Sequence, residues 1–208
     1  MDLSFPLTTV SPTLDARVLQ VLAAATTACS TAEVHRRLGQ GSNEGIRKVL
    51  ARLAKQGVVL TETSAHYPVY RLNRDHVAVP HIEALTRIRE EILTRIQAEL
   101  ARWTIKPIHA ALFGSFARGE ATSDSDIDLL VVRPEPPAEP DEGAWLDQLD
   151  QLDLQVRAWP GNATQIIDLD LATLGTMGNV ADPLVESWLT ESVHLLGQTL
   201  PSLLRAPG

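Results

Sequence analysis

Apolar residues recur at helical spacing through the first hundred positions and then give way to short continuous runs. Leu14, Val18, Leu22 and Ala25 predict a helix over 14–25 after a loose lead-in. Ser30 or Thr31 caps a second, short helix ending at Leu38; counted from Thr31, no capping box follows. Gly39-Gln40-Gly41 reads as a turn, and Ser42 caps a third helix to about Gln56. Its stripe is Ile46, Val49, Leu50 and Leu53, and Gly57 stops it. The runs 58–60 and 69–72 flank a polar stretch containing His66 and predict a two-stranded hairpin. From His76 to Trp103, Ile82, Leu85, Ile88, Ile92, Ile96 and Leu100 predict one long connector helix. Its stripe would pack on a domain core or on a second copy of the chain, as in a homodimer.

Beyond residue 104 the pattern changes. Strands are expected at 108–113, 127–132 and 165–171, with a short final strand at 193–196. Between them fall helices at 115–120, 142–158 and 183–190, a proline-rich irregular loop over 133–141, and a turn at Gly161-Asn162. The expected organisation is an α/β domain at 104–208, joined by the 76–103 helix to a small helical module at 1–75.

Charge separates the same parts. The net charge is −8, but residues 14–75 carry nine Lys/Arg against five Asp/Glu, whereas 76–208 carry nine against twenty. A basic module and an acidic one suggest different partners. Hydrophobic content of 44% is enough for packed cores. No apolar run is long enough to span a membrane, and the N-terminus does not read as a signal peptide. Cys29 is the only cysteine, which fits a reducing cytoplasm.

The candidate chemistry sits in one segment. Gly114-Ser115 is followed, after a gap of ten residues, by Asp126-Ile127-Asp128 at the entrance to an apolar run. Two acids one residue apart project from the same face of a strand. Their mutual repulsion is relieved by a divalent cation, and Mg²⁺ favours a pair of carboxylates plus phosphate oxygens. A Gly-Ser turn opening a helix offers N–H groups and a hydroxyl to an anion, and the glycine lets phosphates come close to the backbone. Arg118 could reach a phosphate or the acceptor, or pair with Glu120 or Asp124. Ser125 could orient its loop or take part in binding.

The order strand, Gly-Ser turn, helix, strand with Asp-x-Asp, helix, strand with a further acid resembles the polymerase-beta-like nucleotidyltransferase superfamily. The spacing, with Arg118-Gly119 and Ser125, is most similar to its minimal nucleotidyltransferase branch, which includes antitoxins of toxin–antitoxin pairs. The resemblance covers about 104–172. It implies an enzyme moving a nucleoside monophosphate from a nucleoside triphosphate, AMP from ATP foremost, onto a hydroxyl of a protein, nucleic acid or small molecule. It also implies two Mg²⁺ ions held by Asp126, Asp128 and a third carboxylate. Asp168 and Asp170 both fit the third place; Asp168, deeper in its run, is the first choice, while Asp170 also suits a cap. Gly114, Ser115, Arg118 and Ser125 would serve the nucleotide.

Helix, helix, turn, helix and hairpin over 14–73 resemble a winged helix-turn-helix. Asn43, Arg47 and Lys48 would then present the end of the third helix that reaches base edges, and Arg36, Arg37 and Arg52 would hold phosphates. Winged helices also dock proteins. A toxin–antitoxin role, with the partner toxin as the acceptor, is a natural extension of the transferase resemblance. The rival reading is a DNA-binding regulator whose transferase domain senses a nucleotide without turnover. Drug inactivation by adenylylation ranks third.

Overall fold

The computed structural model describes residues 1–64, 67–134, 141–180 and 182–205. The chain forms two compact units, essentially Ser4–Arg89 and Glu90–Gly208. His66 and most of the proline-rich 133–141 loop lie outside the described residues.

The first unit contains α1 (Leu14–Ala24), β1 (Cys29–Ser30), α2 (Thr31–Leu38), α3 (Asn43–Lys55), β2 (Val59–Ser64), β3 (Tyr67–Leu72) and α4 (Val79–Thr86). Ser30, not Thr31, caps α2: its hydroxyl accepts from the Glu33 N–H at 3.2 Å. Ser42 caps α3 through the Gly45 N–H at 3.0 Å. The predicted stripe of α3 is buried in a core shared with Val18 and Leu22 of α1, Val34 of α2 and Leu72 of β3. The strands form an antiparallel sheet in the order β1-β3-β2, with Cys29 opposite Tyr70 and Val59 opposite Leu72.

The expected connector helix over 76–103 is two helices. α4 ends at Thr86, and α5 (Ile88–Arg102) begins after a one-residue break at Arg87. The Thr86 hydroxyl donates to the Glu83 carbonyl at 2.9 Å, and the Arg87 N–H turns to the Ala84 carbonyl at 3.2 Å. Local bonds of this kind compete with the helical ladder. α4 adds Val79 to the core of the first unit, while α5 belongs almost wholly to the second.

The second unit is built on a four-stranded sheet of β4 (His109–Phe113), β5 (Ile127–Val132), β6 (Thr164–Leu169) and β7 (Val193–Gly197), in the order β6-β5-β4-β7. β4 is antiparallel to both neighbours, and β5 and β6 run parallel. Helix α6 (Gly114–Arg118) links β4 to β5, and α7 (Asp141–Ala158) makes the crossover to β6. α8 (Leu171–Asn179), α9 (Pro183–Glu191) and α10 (Leu200–Arg205) complete the unit. Leu130, Val132, Ile167 and Leu169 on one sheet face pack with Leu174 of α8, Val185 and Trp188 of α9, and Leu203 of α10. The expected 165–171 strand stops at Leu169, because Asp170 turns away to cap α8 and accepts from the Thr173 N–H at 2.7 Å.

Candidate functional site

Phe113 and Asp128 are register partners on β4 and β5, so the turn after β4 lies beside the start of β5. Gly114 takes φ +67°, a left-handed conformation that favours glycine. A Cβ at this position would collide with the Asp128 carboxylate. The five-residue α6 then lifts Ser115 and Arg118 over the entrance of β5 and ends at Gly119, φ +76°. Asp126 is exposed and Asp128 half-buried. Burial raises the Asp128 pKa above the usual carboxylate value; the Asp126 charge raises it further, and Arg118 opposes both. The structure therefore brings Gly114, Ser115, Asp126 and Asp128 together, with two like charges close enough to disturb one another.

Ser125 organises its loop: its hydroxyl accepts from the Thr122 N–H at 2.9 Å. A buried residue that the sequence pattern gave only as a turn, Asn162, locks the same loop. Its amide donates to the carbonyls of Ser125 and Thr122 at 2.8 and 3.0 Å, and the residue is 2% exposed. The Ile127 N–H bonds to the Ala163 carbonyl at 2.8 Å, so one short segment supports the whole approach to Asp126. Arg118 is held by two acids, Glu120 at 2.9 Å and Glu191 of α9 at 2.7 Å.

Asp168 stands elsewhere. It pairs in register with Val131, whereas Asp128 pairs with Gln165. Partners on adjacent strands share a face and successive residues alternate, so Asp168 and Asp128 point to opposite sides of the sheet. At about 3.3 Å per residue they are also offset by roughly 10 Å along the strands. Asp168 faces α7, where it accepts from the Trp145 indole N–H at 3.2 Å and lies 3.9 Å from the Arg133 guanidinium. Asp170 is committed to its cap, and its pKa is lowered by the Thr173 N–H. Neither acid joins the pair, which corrects the expected third ligand. Among the described residues, no group of three His, Cys, Asp or Glu side chains could hold a metal ion. The Asp126–Asp128 pair is a carboxylate pair of the kind that a divalent cation completed by phosphate oxygens neutralises.

The match to known families falls on this segment: residues 89–172 fit the model of the nucleotidyltransferase domain. The chain carries a nucleotidyltransferase domain. In that domain the turn and acid pair lie at one end of the two central strands, where β4 passes into α6 and β5 begins. Among curated proteins, none matches the sequence. A crystal structure of a toxin-antitoxin with AMP-PNP is similar at 19% identity, covering 54% of this chain and 80% of that one, with a TM-score of 0.37. A mutant of the toxin-antitoxin MntA-HpeT is similar at 17% identity over the same shares, with a TM-score of 0.38. A Sulfolobus solfataricus protein provisionally described as a nucleotidyltransferase gives 18% identity, 54% of this chain, 86% of its own and a TM-score of 0.33.

In the first unit, each basic residue expected at a nucleic acid faces a carboxylate. Arg47 makes two bonds to Glu44 at 2.9 and 2.8 Å, with Lys48 at 3.7 Å from the same acid. Arg37 and Arg36 lie 2.6 and 3.9 Å from Glu33, and Arg52 pairs with Asp15. Asn43 is exposed at the first position of α3. Among the described residues, no helix is long and apolar enough to cross a membrane.

Proposed function

We propose that the nucleotidyltransferase domain moves a nucleoside monophosphate, AMP from ATP, onto a hydroxyl acceptor in a divalent-cation-dependent reaction. The observation that carries this reading is the convergence of Gly114 on Asp128, which sets a phosphate-accepting turn against a charged acid pair. The acceptor oxygen forms a bond to the α-phosphorus, the bond from that phosphorus to the β-phosphate bridging oxygen breaks, pyrophosphate leaves and one proton is released. Such transfers depend on positioning and charge neutralisation more than on covalent help from the protein. Bound Mg²⁺ supplies part of that neutralisation. Asp126 and Asp128 would hold the cation, and Ser115 with its neighbouring N–H groups would hold the terminal phosphates. Arg118 would reach a phosphate only by leaving Glu120 or Glu191.

The first unit supports a winged helix-turn-helix reading: three helices, a short strand and a hairpin in one antiparallel sheet. Through the exposed Asn43, Arg47 and Lys48 it would serve as a docking module for DNA or for a protein. The acceptor would be a hydroxyl of a protein, a nucleic acid or a small molecule, and the resemblance to a branch that includes antitoxins adds a toxin partner to the candidates. The test is incubation of the chain with Mg²⁺ and labelled ATP, GTP, CTP or UTP, with and without cell extract. Label should move to an acceptor, from ATP most readily, and the transfer should vanish in Asp126→Asn/Asp128→Asn. Salt-sensitive duplex binding with no transfer under any of these conditions would favour the regulator instead.

A further inference from the structure

Gln165 stands where a third acid would be needed. It is the register partner of Asp128 on the adjacent parallel strand, shares its sheet face, and is exposed. An acid at 165 would lie beside the pair; instead β6 carries its acid three residues on, on the opposite face, bound to Trp145. The packing confirms these faces independently: Leu130 and Ile167, two residues beyond Asp128 and Gln165, lie in one cluster with Trp188.

The difference matters because a carboxylate and an amide do opposite things near phosphate. A carboxylate accepts only and repels a triphosphate unless a second cation lies between them. A glutamine presents two N–H donors and one neutral acceptor. We propose that Gln165 is the third side chain of this site, that it donates to an anionic oxygen of the nucleotide, and that the site takes a single divalent cation jointly with the triphosphate. This rests on the nucleotidyltransferase reading of Asp126 and Asp128.

The test counts bound ions. The full chain is dialysed to equilibrium against Mn²⁺ and a non-hydrolysable ATP analogue, and bound Mn²⁺ and analogue are measured per chain. The wild type should bind one Mn²⁺ per bound analogue. Gln165→Asp or Gln165→Glu should bind two, and Asp168→Asn should still bind one. Two ions on the wild type, a lower count in Asp168→Asn, or a count of one in both Gln165 variants would overturn the assignment. Asp126→Asn/Asp128→Asn should lose the Mn²⁺ and the analogue together. Retention of both there would instead remove the nucleotidyltransferase site itself, a result separate from any outcome at Gln165.

Discussion

Gly114 is pressed against Asp128: a Cβ built on the glycine would stand 3.1 Å from the Asp128 Cγ and closer still to one of its carboxylate oxygens. The glycine is therefore needed twice, for its φ of +67° and for the space it leaves. Gly114→Ala should lower stability by about 1–2 kcal/mol from the left-handed conformation alone. The larger effect should be on function, because the acid must turn away from the phosphate-accepting turn. Thermal unfolding and nucleotide-dependent Mn²⁺ binding would measure the two effects. Unchanged binding in a folded Gly114→Ala protein would separate the turn from the acid pair.

Asp168 should behave as a structural acid. It accepts the indole N–H of Trp145, whose ring is completely buried. Asp168→Ala leaves that donor without its partner and should cost about 1–3 kcal/mol, whereas Asp168→Asn retains an acceptor and should cost less. Neither change should alter affinity for the ATP analogue. A loss of analogue binding in Asp168→Asn, at unchanged melting temperature, would restore it to the site.

Asn162 should matter more than its place in a turn suggests. Its two amide hydrogens serve the Ser125 and Thr122 carbonyls in a buried setting. Asn162→Ala should destabilise by about 1–3 kcal/mol. With Asp126 no longer fixed, affinity for the ATP analogue should weaken. Calorimetric titration of the analogue checks this, and restoration by Asn162→Gln is not expected because the longer side chain overshoots both carbonyls.

The parts legible in the sequence are those set by neighbours along the chain. The stripe Ile46, Val49, Leu50 and Leu53 specifies α3 through helical periodicity, and Asp126-x-Asp128 specifies a shared face through the strand period of two. Register between strands is different in kind. Whether Gln165 or Asp168 stands beside Asp128 depends on how β6 slides along β5, and a slip of one residue exchanges the two faces. The sequence shows only that Asp168 is an acid between apolar residues, and its partner Trp145 lies twenty-three positions away. Asn162 was hidden for the same reason, since its bonds reach back across roughly forty residues. The break at Arg87 is not legible because no proline or glycine marks it.

His109 should make stability fall with acidification. Its Nδ1–H donates to the Gln198 carbonyl at 2.7 Å, and Nε2 is buried without a partner in the described structure. Burial lowers its pKa below the usual imidazole value; the Gln198 bond opposes this, and nearby His194 adds to the lowering. With the folded value below the unfolded one, the unfolded chain binds the extra proton first. Stability from this residue is thus complete above about pH 6.5 and declines as pH falls toward the lowered value, below which the loss is full. Melting temperature measured between pH 7.5 and 5 should drop less steeply in His109→Asn than in the wild type. Equal slopes would mean that the imidazole titrates alike in both states.

Glu44 decides how readily the α3 surface could take up a nucleic acid. It holds Arg47 by two bonds and lies near Lys48, so a phosphate must displace an acid already in place. All three side chains are more than half exposed, and water and salt weaken such pairs, so the displacement is feasible. If the surface binds DNA, Glu44→Gln frees both cations and should tighten binding to a labelled duplex. Arg47→Ala should weaken binding and reduce the slope of log K against log salt by about 1, the signature of one lost phosphate contact. Fluorescence anisotropy over a series of salt concentrations measures both quantities on the same samples. Should Glu44→Gln leave duplex affinity unchanged while altering capture of a protein acceptor, the helix is a protein-docking face, and its acid–base pairs are part of that recognition.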